Sequence, residues 1–158
     1  DVLRAIGKGV TSSDMIAAGR KVMESGIKLS AMVILGLGGK ERSREHALNT
    51  AAAVSAISPT MLSALTLMLH KGTPLRQAAD HGDFTPLSPY ELVQELKLLI
   101  EHCDMTSPCI FRSNHVSNLL PLAGTLPQDK TELLGDIEEM LAICRNRTTP
   151  SYNDTGEF

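Results

Sequence analysis

The stretch Lys28 to Gly39, K-L-S-A-M-V-I-L-G-L-G-G, decides the fold. Lys28 to Leu35 rises into a nearly continuous apolar run, and a short run apolar on both faces suits a buried parallel strand. The run stops at Gly36-Leu37-Gly38-Gly39. Small residues at a strand's C-terminal end, just before a helix, let a ligand approach the backbone; they also suit a plain tight turn. Two phosphate-binding patterns fail here. A P-loop needs Ser or Thr after Gly-Lys and an earlier Gly, whereas Glu41 follows Lys40 and Ile34 holds the earlier position. A dinucleotide fingerprint needs a third glycine where Glu41 stands.

Downstream, Glu41 to Ile57 reads as an alanine-rich helix with Leu48, Ala51, Val54 and Ile57 near helical spacing, ended by Ser58-Pro59. A second apolar run, Met61 to Leu69, breaks at His70-Lys71-Gly72-Thr73-Pro74. Upstream, Thr11-Ser12-Ser13 offers N-caps for a helix carrying Ile16, Gly19, Val22 and Met23 and closing at Gly26. Helix, strand, helix, strand with short connections predicts right-handed parallel α/β crossover units. Further on, Leu75 to His81 predicts a short helix. Ser88 caps a strong helix whose face is Leu92, Leu96, Leu99 and Cys103, flanked by Val93 and Ile100. Pro108 to Phe111 predicts a brief strand, and Gln128 to Arg145 a helix with Leu133, Ile137, Met140 and Cys144 on one face. Residues 148–158 are polar and expected to be disordered. The chain opens on the patterned segment Val2 to Gly9 with no leading strand, and two or three parallel strands make a poor sheet alone. The expectation is a piece of a larger α/β domain, residues 1–147.

Composition narrows the function classes. The chain has 158 residues, 42% hydrophobic and 21% charged, as in one soluble globular domain. Aromatics are only 3% with no Trp, so the core is aliphatic and stacking platforms for single-stranded nucleic acid are disfavoured. A net charge of -3 forces no basic face, and nucleic acid is not the expected partner. No apolar run approaches the roughly 20 residues of a membrane helix, and no signal-peptide pattern opens the chain. A cytoplasmic protein without a membrane partner is expected. The cysteines, Cys103, Cys109 and Cys144, have no short paired spacing. His102 and His115 lie near Cys103 and Cys109 in sequence, but buried or incidental thiols are the better reading, and no metal site is assigned.

The segment Arg112 to Asn118, R-S-N-H-V-S-N, is polar except for Val116 and follows an apolar strand. Polar groups massed at a strand end line a site or satisfy a hydrogen-bonded turn. A hydrolase triad of Ser113 and His115 with Asp104 or Asp129 has no nucleophile elbow to support it.

Taken in order, these segments resemble radical S-adenosylmethionine (SAM) enzymes. The likeness is to the branch with oxygen-independent coproporphyrinogen oxidases and elongator-type acetyltransferases. V-L-R-A-I-G-K-G-V-T resembles the segment after the family's fourth strand, and M-V-I-L-G-L-G-G its fifth strand with the glycine-rich end. L-T-L-M-L-H-K-G-T-P-L resembles the sixth strand and its exit. F-R-S-N-H-V-S-N-L-L-P-L-A-G-T-L-P-Q-D-K resembles a C-terminal motif of an uncharacterised bacterial subgroup. The resemblance covers roughly residues 1–147.

It implies the C-terminal portion of a partial (β/α)6 barrel, with about three parallel strands, flanking helices and extra C-terminal helices. Full-length members bind a 4Fe–4S cluster through Cys-x3-Cys-x2-Cys, which cleaves SAM reductively to a radical that abstracts a substrate hydrogen. That motif is absent here, so this piece is expected to be inactive alone and to bind neither group. The resemblance places Ile34, Gly36, Leu37, Leu67 and Met68 at the SAM adenine. Met32 and Gly39 stand where the family usually has Gly and Glu, so the match is partial. Asn114, His115 and Asn118 fall on the substrate side. The contrasting reading is a self-contained, non-catalytic α/β binding or scaffold domain. If the preceding strands are missing, the strand at Lys28 to Leu35 exposes an edge and the barrel interior an apolar face, and a homodimer through either is expected.

Overall fold

Side-chain capping sets the start of three of the helices. The computed structural model describes residues 2–146, so the expected tail, 148–158, lies outside them. After a single turn, α1 (Val2–Ala5), comes α2 (Ser12–Glu24). Thr11 caps α2 reciprocally: its hydroxyl accepts the Asp14 N–H at 3.2 Å, and its own N–H donates to the Asp14 carboxylate at 2.9 Å. The first strand, β1 (Ser30–Leu35), leads through the glycine turn into α3 (Gly39–Ile57). Ser58 then takes a left-handed conformation, φ 48°, and turns the chain into β2 (Met61–Thr66). Thr73 caps α4 (Pro74–His81). Ser88 and Glu91 form a capping box on α5 (Pro89–His102), with Pro89 in the first turn, where its missing N–H costs nothing. The chain ends in β3 (Cys109–Arg112), β4 (Ala123–Leu126) and α6 (Lys130–Asn146).

The sheet runs β1-β2-β3-β4. The first three strands are parallel, with Ser30 opposite Met61 and Met61 opposite Ile110. β4 is antiparallel to β3, with Phe111 opposite Gly124. The architecture is therefore α/β, with a four-stranded, open, mixed sheet. The three expected parallel strands are present; the antiparallel fourth was not expected, because A-G-T-L is short, contains Gly and lies between Pro121 and Pro127.

Strand alternation divides the sheet into two unlike faces. Leu35, Leu62, Ala64, Phe111 and Leu126 bury against α3, α5 and α6, which supply Ala51, Val54, Leu96, Leu99, Ile100, Leu133 and Ile137. Each fully buried Leu, Ile or Phe contributes about 1.5–3 kcal/mol. The opposite face has no covering layer among the described residues. Met32 is 67% exposed, Ile34 39% and Ile110 37%. β1 is thus not buried on both faces as its apolar run suggests. Its composition fits a two-sided environment, whereas α3 and α5 cover one side only. The two sheet edges also differ. β4 is bracketed by prolines, whereas β1, among the described residues, pairs only with β2 and has neither Pro nor charge along S-A-M-V-I-L.

Candidate functional site

The C-terminal ends of the parallel strands carry two polar clusters, one around a buried carboxylate and one part-buried. The first centres on Glu95, 1% exposed in the middle of α5. Its Oε1 accepts the Gly36 N–H at 2.8 Å and meets His46 Nδ1 at 2.9 Å, while Oε2 accepts the Ser43 hydroxyl. One carboxylate thus ties the end of β1 to Ser43 and His46 of α3, with both of its oxygens engaged. Sequence reasoning missed it. The available signal was a Glu inside the apolar run L-V-Q-E-L-K-L-L-I, adjacent to the core position Leu96.

The glycine turn is shaped by packing. Gly36 has φ 82°, and a Cβ there would lie 3.1 Å from Leu92 and 3.7 Å from the Leu67 Cβ. Gly39 has φ 62°, and its Cβ would lie 2.9 Å from the Phe84 ring. The space that side chains would need at these two positions is occupied by α5 and the Phe84 loop. The first helical N–H groups are engaged too: Gly39 donates to Gly36 O at 3.0 Å and Lys40 to Thr85 O at 2.8 Å.

The second cluster joins β2 to the segment after β3. The Asn118 amide donates to Ala64 O at 2.7 Å and the Ser113 hydroxyl at 3.1 Å, and its carbonyl oxygen accepts from the Thr66 hydroxyl at 2.9 Å. The Thr66 N–H donates to the Ser117 hydroxyl at 3.2 Å, and that hydroxyl lies 2.8 Å from His115 Nδ1. Nδ1 also accepts the Ser117 N–H at 3.1 Å. The segment therefore is a hydrogen-bonded turn strapped to a strand end. Asp129 accepts from the Thr125 N–H at 2.7 Å, engaged apart from Ser113 and His115.

Among the residues expected at a ligand, Gly36 and Leu67 come together. Ile34 lies on the open face opposite Leu65, Met68 is 41% exposed and Leu37 half-buried. The Leu67 N–H is bound to Leu35 O at 2.9 Å. Asn118 is engaged by the fold, while Asn114 and His115 are exposed. On the helical side, a groove of about 230 Å³ lies between α3 and α5, lined by Lys40, Ser43, Arg44, Glu91 and Gln94. A surface ion pair, Lys40 to Glu91 at 2.9 Å, stands beside it and is worth about 0–1 kcal/mol.

Cys103 and Cys109 are buried free thiols. Burial pushes Cys103 up to about 12 and Cys109 up to about 11, so neither is a thiolate near neutrality. Iodoacetamide at mildly alkaline pH is expected to label Cys144 in the folded protein and spare both; equal labelling of all three, read by mass spectrometry, would contradict this. No group of three or more His, Cys, Asp or Glu among the described residues is placed to hold a metal ion. No helix among them is long and apolar enough to cross a membrane.

No protein-family model matches the chain, and no curated protein matches it.

Proposed function

We propose that the chain forms the C-terminal part of a cytoplasmic radical SAM barrel, supplying one wall of the SAM pocket and part of the substrate cavity. One observation carries the reading. Among the described residues, three consecutive parallel strands bear helices on one face only, while the other presents Met32, Ile34 and Ile110 to water and ends at an unpaired edge of β1. A slab cut from a barrel has that form: helices outside, interior uncovered, an edge awaiting the preceding strand. The sequence resemblance supports the same reading.

The described residues fit the two cofactors unequally. No group of three or more His, Cys, Asp or Glu among them is placed together, and the buried, protonated thiols of Cys103 and Cys109 do not fit as cluster ligands. Toward adenine they offer apolar surface at Ile34 and Met68, whereas the Gly36 and Leu67 N–H groups are already engaged. The methionyl end of SAM would be held elsewhere. The 158-residue chain is therefore expected to bind SAM no tighter than about millimolar, on the order of -4 kcal/mol, and a micromolar constant by calorimetry would contradict this.

The free β1 edge and the open face also make the chain alone prone to associate, most simply as a two-fold dimer. Light scattering over a tenfold concentration range is expected to show dimer growing in; monomer throughout would contradict it. The function itself is tested with the protein of the complete reading frame, reconstituted anaerobically with iron and sulfide and given SAM and a reductant. The expected product is 5′-deoxyadenosine. A protein that takes up no cluster, or yields no such product, would leave a non-catalytic α/β binding module as the reading.

A further inference from the structure

The open face of the sheet carries one charged residue among the described strands. In the register of the sheet, Met32 lies opposite Ser63, Ser63 opposite Arg112 and Arg112 opposite Ala123. Arg112 thus points to the same side as Met32, Ile34 and Ile110, between the small side chains of Ser63 and Ala123. Its guanidinium folds back on the β3–β4 ladder: Nη1 donates to Phe111 O at 2.7 Å and to Gly124 O at 3.3 Å. Two carbonyls of opposed residues therefore fix the group. Of the five guanidinium N–H donors, those on Nε and Nη2 have no acceptor among the described residues, and no ion pair there includes Arg112. The Nε–Nη2 edge is the fork that receives a carboxylate in two parallel hydrogen bonds.

We propose that Arg112 binds an anionic group of the substrate, and that the substrate is an amphipathic carboxylate whose apolar body lies on the rows of Met32, Ile34 and Ile110. The inference rests on the barrel reading, in which this face is the interior. An anchored cation left unpaired in an enclosed apolar cavity is costly, so a counter-anion belongs beside it. The small neighbours leave room for that anion, and the surrounding apolar side chains favour a hydrophobic remainder over a small, fully hydrated ion.

Ligand-observed NMR titration of the complete protein, without cluster loading, tests this with benzoate as the probe. Benzamide removes the charge, and acetate removes the apolar body. Benzoate is expected to bind at least about tenfold more tightly than either, and Arg112→Met to lose at least about tenfold, since a hydrogen-bonded charge is worth that much. Arg112→Lys retains charge without the fork and is expected to fall between. If Arg112→Met fails to fold by circular dichroism, the wild-type comparison and Arg112→Lys decide. Equal binding of benzoate and benzamide, or of benzoate and acetate, would overturn the proposal. Unchanged affinity in a folded Arg112→Met protein would do the same. Displacement of benzoate by SAM would assign Arg112 to the cofactor's carboxylate and overturn the substrate assignment. Reductive SAM cleavage without Arg112-dependent benzoate binding defeats this inference alone, and the converse result defeats the barrel reading alone.

Discussion

Replacing Glu95 with alanine is expected to destabilise the protein by about 3–5 kcal/mol, more than an ordinary surface or helix substitution. The side chain is 1% exposed and satisfies three partners: the Gly36 N–H, His46 Nδ1 and the Ser43 hydroxyl. Truncation leaves the buried Gly36 N–H without its acceptor, and the part-buried Ser43 hydroxyl and His46 ring without theirs; an unsatisfied buried group costs about 1–3 kcal/mol. The glycine turn also loses its tether to α5, so loosening should be concentrated where β1 meets α3. Glu95→Gln keeps an acceptor for the Gly36 N–H and is expected to cost clearly less. Urea unfolding provides the measurement, with the midpoint shift read at constant slope. A loss below about 1 kcal/mol for Glu95→Ala would show that water replaces the carboxylate without penalty.

Phe111→Ala carries the second large effect, a loss of about 3–5 kcal/mol. Phe111 is fully buried at the centre of β3, opposite Leu62 on β2 and Gly124 on β4. It is the largest buried side chain of a core otherwise built from Leu, Ile, Val, Met, Ala and Cys. A cavity at that position is bordered by two strand pairings and by the helical layer, so little can collapse into it. Phe111→Leu should cost less, because more of the volume is retained. Equal thermal stability of Phe111→Ala and the parent protein would contradict the assigned core.

The elements with strong local chemistry were legible in the sequence. Thr11 and Ser88 act as the caps their positions announce, and the two apolar runs form paired parallel strands; the Thr73 cap on α4 was not read. The second run ends as strand at Thr66 rather than Leu69: the Leu67 N–H makes the last bond to β1, at Leu35 O, and the chain then runs on to the Gly72 turn. β4 was illegible for a physical reason: four residues with a glycine carry little strand propensity, and their pairing is fixed from outside by β3. Which face of β1 stays open was equally hidden, since a one-dimensional apolar run does not say how many layers will cover it. The candidate site was legible as a place and less so as a set of contacts. The glycine turn and the R-S-N-H-V-S-N segment do stand at the strand ends, but Glu95, the residue that ties the turn down, is distant in sequence. Asn118 illustrates the converse: a polar residue at a strand end whose hydrogen bonds go to its own fold.

In the proposed barrel, preceding strands cover the edge of β1 and the face bearing Met32 and Ile34. Amide hydrogen exchange across Ser30–Leu35 tests it most directly, comparing the protein of the complete reading frame with the 158-residue chain diluted until light scattering shows monomer. The outward amides of β1 are expected to exchange quickly in the monomeric chain and to become protected in the complete protein, while β3 changes little. Equal exchange of β1 in both would contradict it, because no strand would then be pairing with that edge.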